Sequence, residues 1–204
     1  IPFWSWNDKL DPEELRRQIN VMKKIGMNGF FMHARGGLET EYLSDEWYDC
    51  IQQCVDEAKK LGMEAWSYDE NGWPSGFAGG KLLEDSRNHA TYLVYEIKDS
   101  YDDDALCVYN VTNASIDRLN GNVDGLKEYF CVYQKYDSSY VDTMDADITK
   151  EYIRLTHEDY KKVLGDDFGV GKGMPGFFTD EPQYYRYKTP WSNKFRDEFD
   201  KKYG

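Results

Sequence analysis

The sequence predicts an α/β chain built around a parallel sheet, and three observations predict it. A βα unit recurs: Lys23-Lys24-Ile25-Gly26-Met27-Asn28-Gly29-Phe30-Phe31 is echoed by Lys59-Lys60-Leu61-Gly62-Met63-Glu64-Ala65-Trp66, and again by Gly173-Met174-Pro175-Gly176-Phe177-Phe178. Each copy reads as a helix end or glycine stop followed by a short apolar strand. The segments before these strands carry apolar stripes at helical spacing. The strands themselves are short and rich in Phe and Trp, as expected where helices cover a parallel sheet.

Taken in order, strands are expected at 3–6, 29–33, 64–68 and 176–179. The first helix starts at Asp11-Pro12-Glu13-Glu14, which supplies an N-cap, a proline at the first helical position and a capping-box glutamate. Leu15, Ile19, Met22 and Ile25 form its stripe. Ser44-Asp45-Glu46 begins the second helix, striped by Trp47, Ile51, Cys54 or Val55, Ala58 and Leu61. A third runs over 147–164, and a fourth begins after Trp191.

Between Arg87 and Tyr140 the pattern changes. Residues 91–97, 105–111 and 128–136 read as antiparallel strands separated by turn-rich stretches. Residues 1–86 thus hold three βα units, 87–140 a small β insertion, and 141–204 a helix, a fourth strand and the start of the fourth helix. Four βα units are half of an eight-stranded barrel, which takes ~250 residues. The expected fold is a partial TIM-type (β/α) barrel, truncated and inactive as an isolated chain, with open sheet edges through which it self-associates.

Composition narrows the function classes. The 204 residues carry a formal net charge of −13, which disfavours nucleic acid and anionic membrane surfaces. No apolar run approaches the length of a membrane span. Four cysteines make no disulfide scaffold; Cys50 and Cys54 sit on one helix, Cys107 and Cys131 in two β-like segments, and reduced thiols in a cytoplasmic protein are expected. Six Trp and 17 Tyr suit a neutral carbohydrate, whose apolar ring faces pack on aromatic side chains.

The chemistry-bearing residues lie just past the strands. His33-Ala34-Arg35, Asp69-Glu70-Asn71 and Asp180-Glu181-Pro182 stand where barrel enzymes build active sites, at the strands' carboxyl ends. Counted from the shared Gly-Met, Glu70 and Glu181 occupy the same position, which suggests paired carboxylates on adjacent strands. Such a pair suits glycosidic cleavage, one group protonating the leaving oxygen and the other activating water or attacking the sugar. Trp4, Trp6 and Asn7 from the first strand, His33, Arg35, Asp69 and Asp180, and Trp73 in a Gly-rich loop are the candidate substrate contacts. No phosphate loop, dinucleotide fingerprint, nucleophile elbow or HExxH motif occurs, and no cofactor is required.

Four segments in order, Pro2–Asp8, Phe30–Gly37, Tyr68–Gly76 and Phe177–Gln183, resemble the catalytic barrel of the α-L-rhamnosidase-like glycoside hydrolases of family 106. The resemblance implies a multidomain inverting hydrolase, Glu181 as a catalytic carboxylate acting as the acid, and a calcium ion near the sugar. Two other readings fit the same residues: a barrel hydrolase or isomerase that binds a divalent metal through Asp69, Glu70, Asp180 and Glu181, and a non-catalytic carbohydrate-binding or scaffolding module.

Overall fold

A computed structural model describes residues 1–204. The chain runs β1 (Phe3–Trp6), α1 (Pro12–Lys24), β2 (Gly29–Ala34), α2 (Asp45–Leu61), β3 (Glu64–Tyr68), β4 (His89–Lys98), β5 (Cys107–Val111), β6 (Ile116–Leu119), β7 (Tyr129–Val141), α3 (Ala146–Ile153), α4 (Asp159–Leu164), β8 (Phe177–Phe178), β9 (Pro190–Trp191) and α5 (Asn193–Tyr203). It divides into two units: 1–84 with 147–182, and 85–146 with 183–204.

The first unit holds a parallel four-stranded sheet in the order β1-β2-β3-β8. Local chemistry sets its helices. The Asp11 side chain accepts the Glu13 N–H at 2.8 Å with Pro12 at the helix start, and the Ser44 hydroxyl accepts the Trp47 N–H at 3.2 Å. Gly62 ends α2 in the left-handed conformation (φ 62°), which costs a glycine little. Of the α2 stripe, Trp47, Ile51, Cys54, Val55 and Ala58 are wholly buried; each large member stabilises the fold by roughly 1.5–3 kcal/mol. Ile25, expected in the α1 stripe, is exposed beyond the helix end.

The two faces of this sheet differ. Trp4, Trp6, Phe30, Met32, Ala34 and Ala65 join the helix-side core with Trp47 and Tyr160. The opposite face is aromatic: Phe3 lies 5.2 Å from Phe31, 5.3 Å from His33 and 5.0 Å from Phe178 between ring centres, and the His33 ring lies 3.8 Å from that of Tyr68.

Two sequence expectations for this unit are corrected. The helix expected over 147–164 is interrupted by a turn of π-helix at Arg154–Glu158, where the Thr156 hydroxyl donates to the Tyr152 carbonyl at 2.6 Å. The fourth strand shrinks to Phe177–Phe178, and its pairing departs from the repeat count. Ser67 faces Phe177 and Tyr68 faces Phe178, a register that, continued past the strand ends, aligns Glu70 with Asp180 and not with Glu181. Met174 makes only an isolated bridge to Phe168 and Pro175 and Gly176 lie outside the strand, and one residue of slip there inverts the order of side chains beyond it.

The second unit is an antiparallel five-stranded sheet in the order β6-β5-β7-β4-β9. The expected strands are present, with two additions. β6 pairs with β5, and Pro190–Trp191 adds to β4, where Thr91 Oγ1 donates to the Trp191 carbonyl at 2.6 Å. That pairing, with Tyr187 stacked on Tyr92 at 4.6 Å, attaches 183–204 to this unit rather than to the parallel sheet. Its core is small, centred on Val108, Tyr129 and Cys131. All four cysteines are free. No helix is long and apolar enough to cross a membrane.

Candidate active site

The carboxyl ends of β2, β3 and β8 bring together His33, Tyr68, Asp69, Glu70, Ser75, Thr179 and Asp180. Each of the two Asp-Glu pairs has a distinct environment.

Glu70 is fully buried, and the loop after β3 wraps it. Its Oε2 accepts the backbone N–H groups of Gly76, Phe77 and Ala78 at 3.1, 2.9 and 2.8 Å; its Oε1 accepts those of Asn71, at 2.9 Å, and Gly79. The glycines serve this wrapping. Gly79 has φ 65°, and a Cβ there would meet the Tyr42 ring at 2.8 Å. Burial holds the Glu70 pKa above the ordinary carboxylate value, and the amides oppose that rise without cancelling it. Five donors on two oxygens leave no lone pair for a proton. Glu70 is thus an anchor for its own loop, and the acid–base role expected of it does not fit this geometry.

Asp69 is fully buried as well. Its Oδ1 accepts the Ser75 hydroxyl at 2.6 Å, and its Oδ2 accepts the Thr179 hydroxyl at 2.5 Å and faces His157 Nε2 at 3.1 Å. Its carbonyl accepts the Tyr152 hydroxyl at 2.7 Å. A group so enclosed is no substrate contact.

Asp180 and Glu181 are more open. Asp180 is half-buried: Oδ2 accepts the Tyr68 hydroxyl at 3.0 Å, Oδ1 accepts the Glu181 N–H at 2.9 Å, and its own N–H donates to Ser75 Oγ at 2.9 Å. Burial and the bond to Asp180 push the Tyr68 pKa up, which keeps the phenol a donor. Glu181 is exposed. His33 is buried against Tyr68 with its Nε2 unpartnered. Burial and the Arg35 charge push its pKa down to about 4, so the ring is neutral near pH 7.

The remaining candidates divide. Asn7, Arg35 and Trp73 are exposed, Trp73 at 51%. Trp4 and Trp6 are corrected: both are buried on the helix side, Trp4 donating to Gln18 Oε1 at 2.8 Å and Trp6 packing on Trp47 at 5.1 Å. Alternation along β1 puts both on one face, and the core claimed it.

Sequence reasoning missed His157, Tyr152, Ser75 and Thr179. His157 and Tyr152 are more than eighty positions from Asp69, and no local pattern marks them.

No protein family matches the chain, and no curated protein does. Among solved structures, the chain is similar to a rhamnosidase from Novosphingobium sp. PP1Y, at 22% identity and a TM-score of 0.38. The similarity covers 48% of this chain and 10% of that one, so the chain spans about a tenth of the neighbour's length.

Proposed function

We propose that this chain contributes the catalytic acid of a glycoside hydrolase, on a frame that is part of a TIM-type (β/α) barrel. The observation that carries the reading is the Asp180–Glu181 pair at the carboxyl end of β8. Asp180 is held by Tyr68 and in turn holds the Glu181 N–H, while Glu181 itself is exposed. An exposed carboxyl group on a tethered backbone is suited to proton transfer at a glycosidic oxygen. Arg35 and Trp73 come after neighbouring strands and offer a hydroxyl-binding cation and a flat ring for a sugar face.

Glu181 is the catalytic carboxylate of this reading, and Glu70 drops out as its partner. An inverting, rhamnosidase-like reaction is the finer form, supported by the four segments that resemble those hydrolases. The calcium ion implied by that resemblance does not fit the residues present. No three His, Cys, Asp or Glu side chains converge as metal ligands, Asp69 and Glu70 being occupied by protein donors.

The test is initial-rate hydrolysis of aryl glycosides, aryl α-L-rhamnoside first, by the parent enzyme that carries this chain, as wild type and Glu181→Gln. Turnover by the wild type and a loss of about 10²–10⁴-fold in the variant are expected. Equal turnover in both removes Glu181 from its role. Saturable sugar binding without turnover in either assigns a binding module instead.

A further inference from the structure

We infer that Asp69 and His157 act as positioning residues, fixing the Thr179–Glu181 segment through Ser75 and Thr179. The inference deepens the proposed function and rests on Glu181 being the working carboxylate.

Asp69 reaches both sides of the site. Through Oδ2 it takes the Thr179 hydroxyl, directly after β8. Through Oδ1 it takes the Ser75 proton, which turns the Ser75 lone pairs toward the Asp180 N–H. The Thr179 side chain and the Asp180 N–H are therefore held by one buried carboxylate, the first directly and the second through Ser75, while the Asp180 carboxylate accepts the Glu181 N–H. Two hydroxyl-bearing residues thus extend its hold to a strand of only two residues, whose ladder gives the segment beyond it little support.

His157 completes the arrangement. The Thr156 hydroxyl proton is committed to the Tyr152 carbonyl at 2.6 Å, so its 3.2 Å contact with His157 needs the hydrogen on Nδ1. Nε2 lies 3.1 Å from Asp69 Oδ2, on the other side of the ring. The π-helical turn directs the ring at Asp69, and a π-bulge is a feature often found where a helix serves a site. The ring also meets Phe177 edge-on at 4.4 Å, so β8 is gripped on its apolar side by the same residue.

Amide hydrogen exchange resolved by residue is the test, in the parent enzyme that carries this chain, as wild type, Asp69→Asn, Thr179→Val and Thr179→Ser, with kinetics on aryl glycosides alongside. Asp69→Asn and Thr179→Val should speed exchange at Asp180 and Glu181 at least tenfold, with the amides of β2 and β3 unchanged. Thr179→Ser, which keeps the hydroxyl, should restore wild-type exchange. In the kinetics kcat should fall by at least tenfold with KM held within twofold. Unchanged exchange at Asp180 and Glu181, or acceleration spread evenly over the parallel sheet, would overturn the positioning role. Local acceleration in a protein whose wild type hydrolyses no glycoside would uphold the positioning of the segment and reject the hydrolase reading alone.

Discussion

The same dipeptide ends two neighbouring strands of the parallel sheet and comes to opposite fates. After β3, Asp69-Glu70 is wholly buried, its oxygens consumed by hydroxyls, a histidine and five backbone amides. After β8, the Asp180 carboxylate accepts the Tyr68 hydroxyl and the Glu181 N–H, and Glu181 is exposed. The difference lies in the loop that comes after each pair. Gly72, Gly76, Gly79 and Gly80 all adopt positive φ, which lets the first loop fold back and close over its glutamate. Pro182 and Gln183 come after the second pair, with no glycine to permit such a wrap. A carboxylate's job is set by the donors around it, and the residue type and strand-end position do not decide it alone.

The sharpest way to break this comparison is to exchange the expected effects of the two glutamates. In the parent enzyme, Glu181→Gln should lose about 10²–10⁴-fold in glycoside turnover while its denaturation midpoint stays at the wild-type value. Glu70→Ala should do the reverse at the level of the fold. It strands five backbone amides, that of Ala78 buried and the others part-buried, and should lower the unfolding free energy by roughly 3 kcal/mol or more, read from urea denaturation. A Glu70→Ala protein within about 1 kcal/mol of wild type would mean the loop does not depend on its anchor.

His33 sharpens the comparison through pH. Its folded pKa of about 4 lies below the ordinary 6.5, so on acidification the unfolded chain takes up the proton first. The contribution is fully present above pH 6.5 and is lost as pH falls toward 4, at up to about 1.4 kcal/mol per unit. Arg35, Asp180 and Tyr68 face the same ring. In His33→Gln, stability measured at intervals between about pH 4.5 and 7.5 should lose this part of its slope. An unaltered slope would show that His33 does not titrate as a buried neutral ring. The smallest effect is expected at Trp73. Trp73→Ala should leave stability within about 0.5 kcal/mol, since the ring is exposed, and weaken sugar binding roughly fivefold in a calorimetric titration. Unchanged affinity would remove Trp73 from the sugar site.

Much of the frame was legible because it is written in neighbouring residues. The caps at Asp11, Ser44 and Gly62 and the helical stripe from Trp47 to Ala58 act within one or two turns, and they mark α1, α2, β1 and β3 to within a residue or two. The strand-end positions of His33, Asp69, Glu70, Asp180 and Glu181 came from the same βα repeat. The π-helical turn, the slip before β8 and the two-residue β9 were not legible, because each depends on partners distant in sequence. β9 becomes a strand only because β4 offers an edge, and Pro190 in isolation argues against one.

By itself, the sequence determined the alternation of helix and strand, the parallel character of the first sheet and the antiparallel segment that interrupts it. These rest on short-range periodicity and capping. Only the tertiary structure decided which of two Asp-Glu pairs would be enclosed, that Trp4 and Trp6 belong to the core, and that His157 would meet Asp69. Burial and hydrogen-bond saturation arise when distant segments converge, and local residue order carries no measure of that convergence.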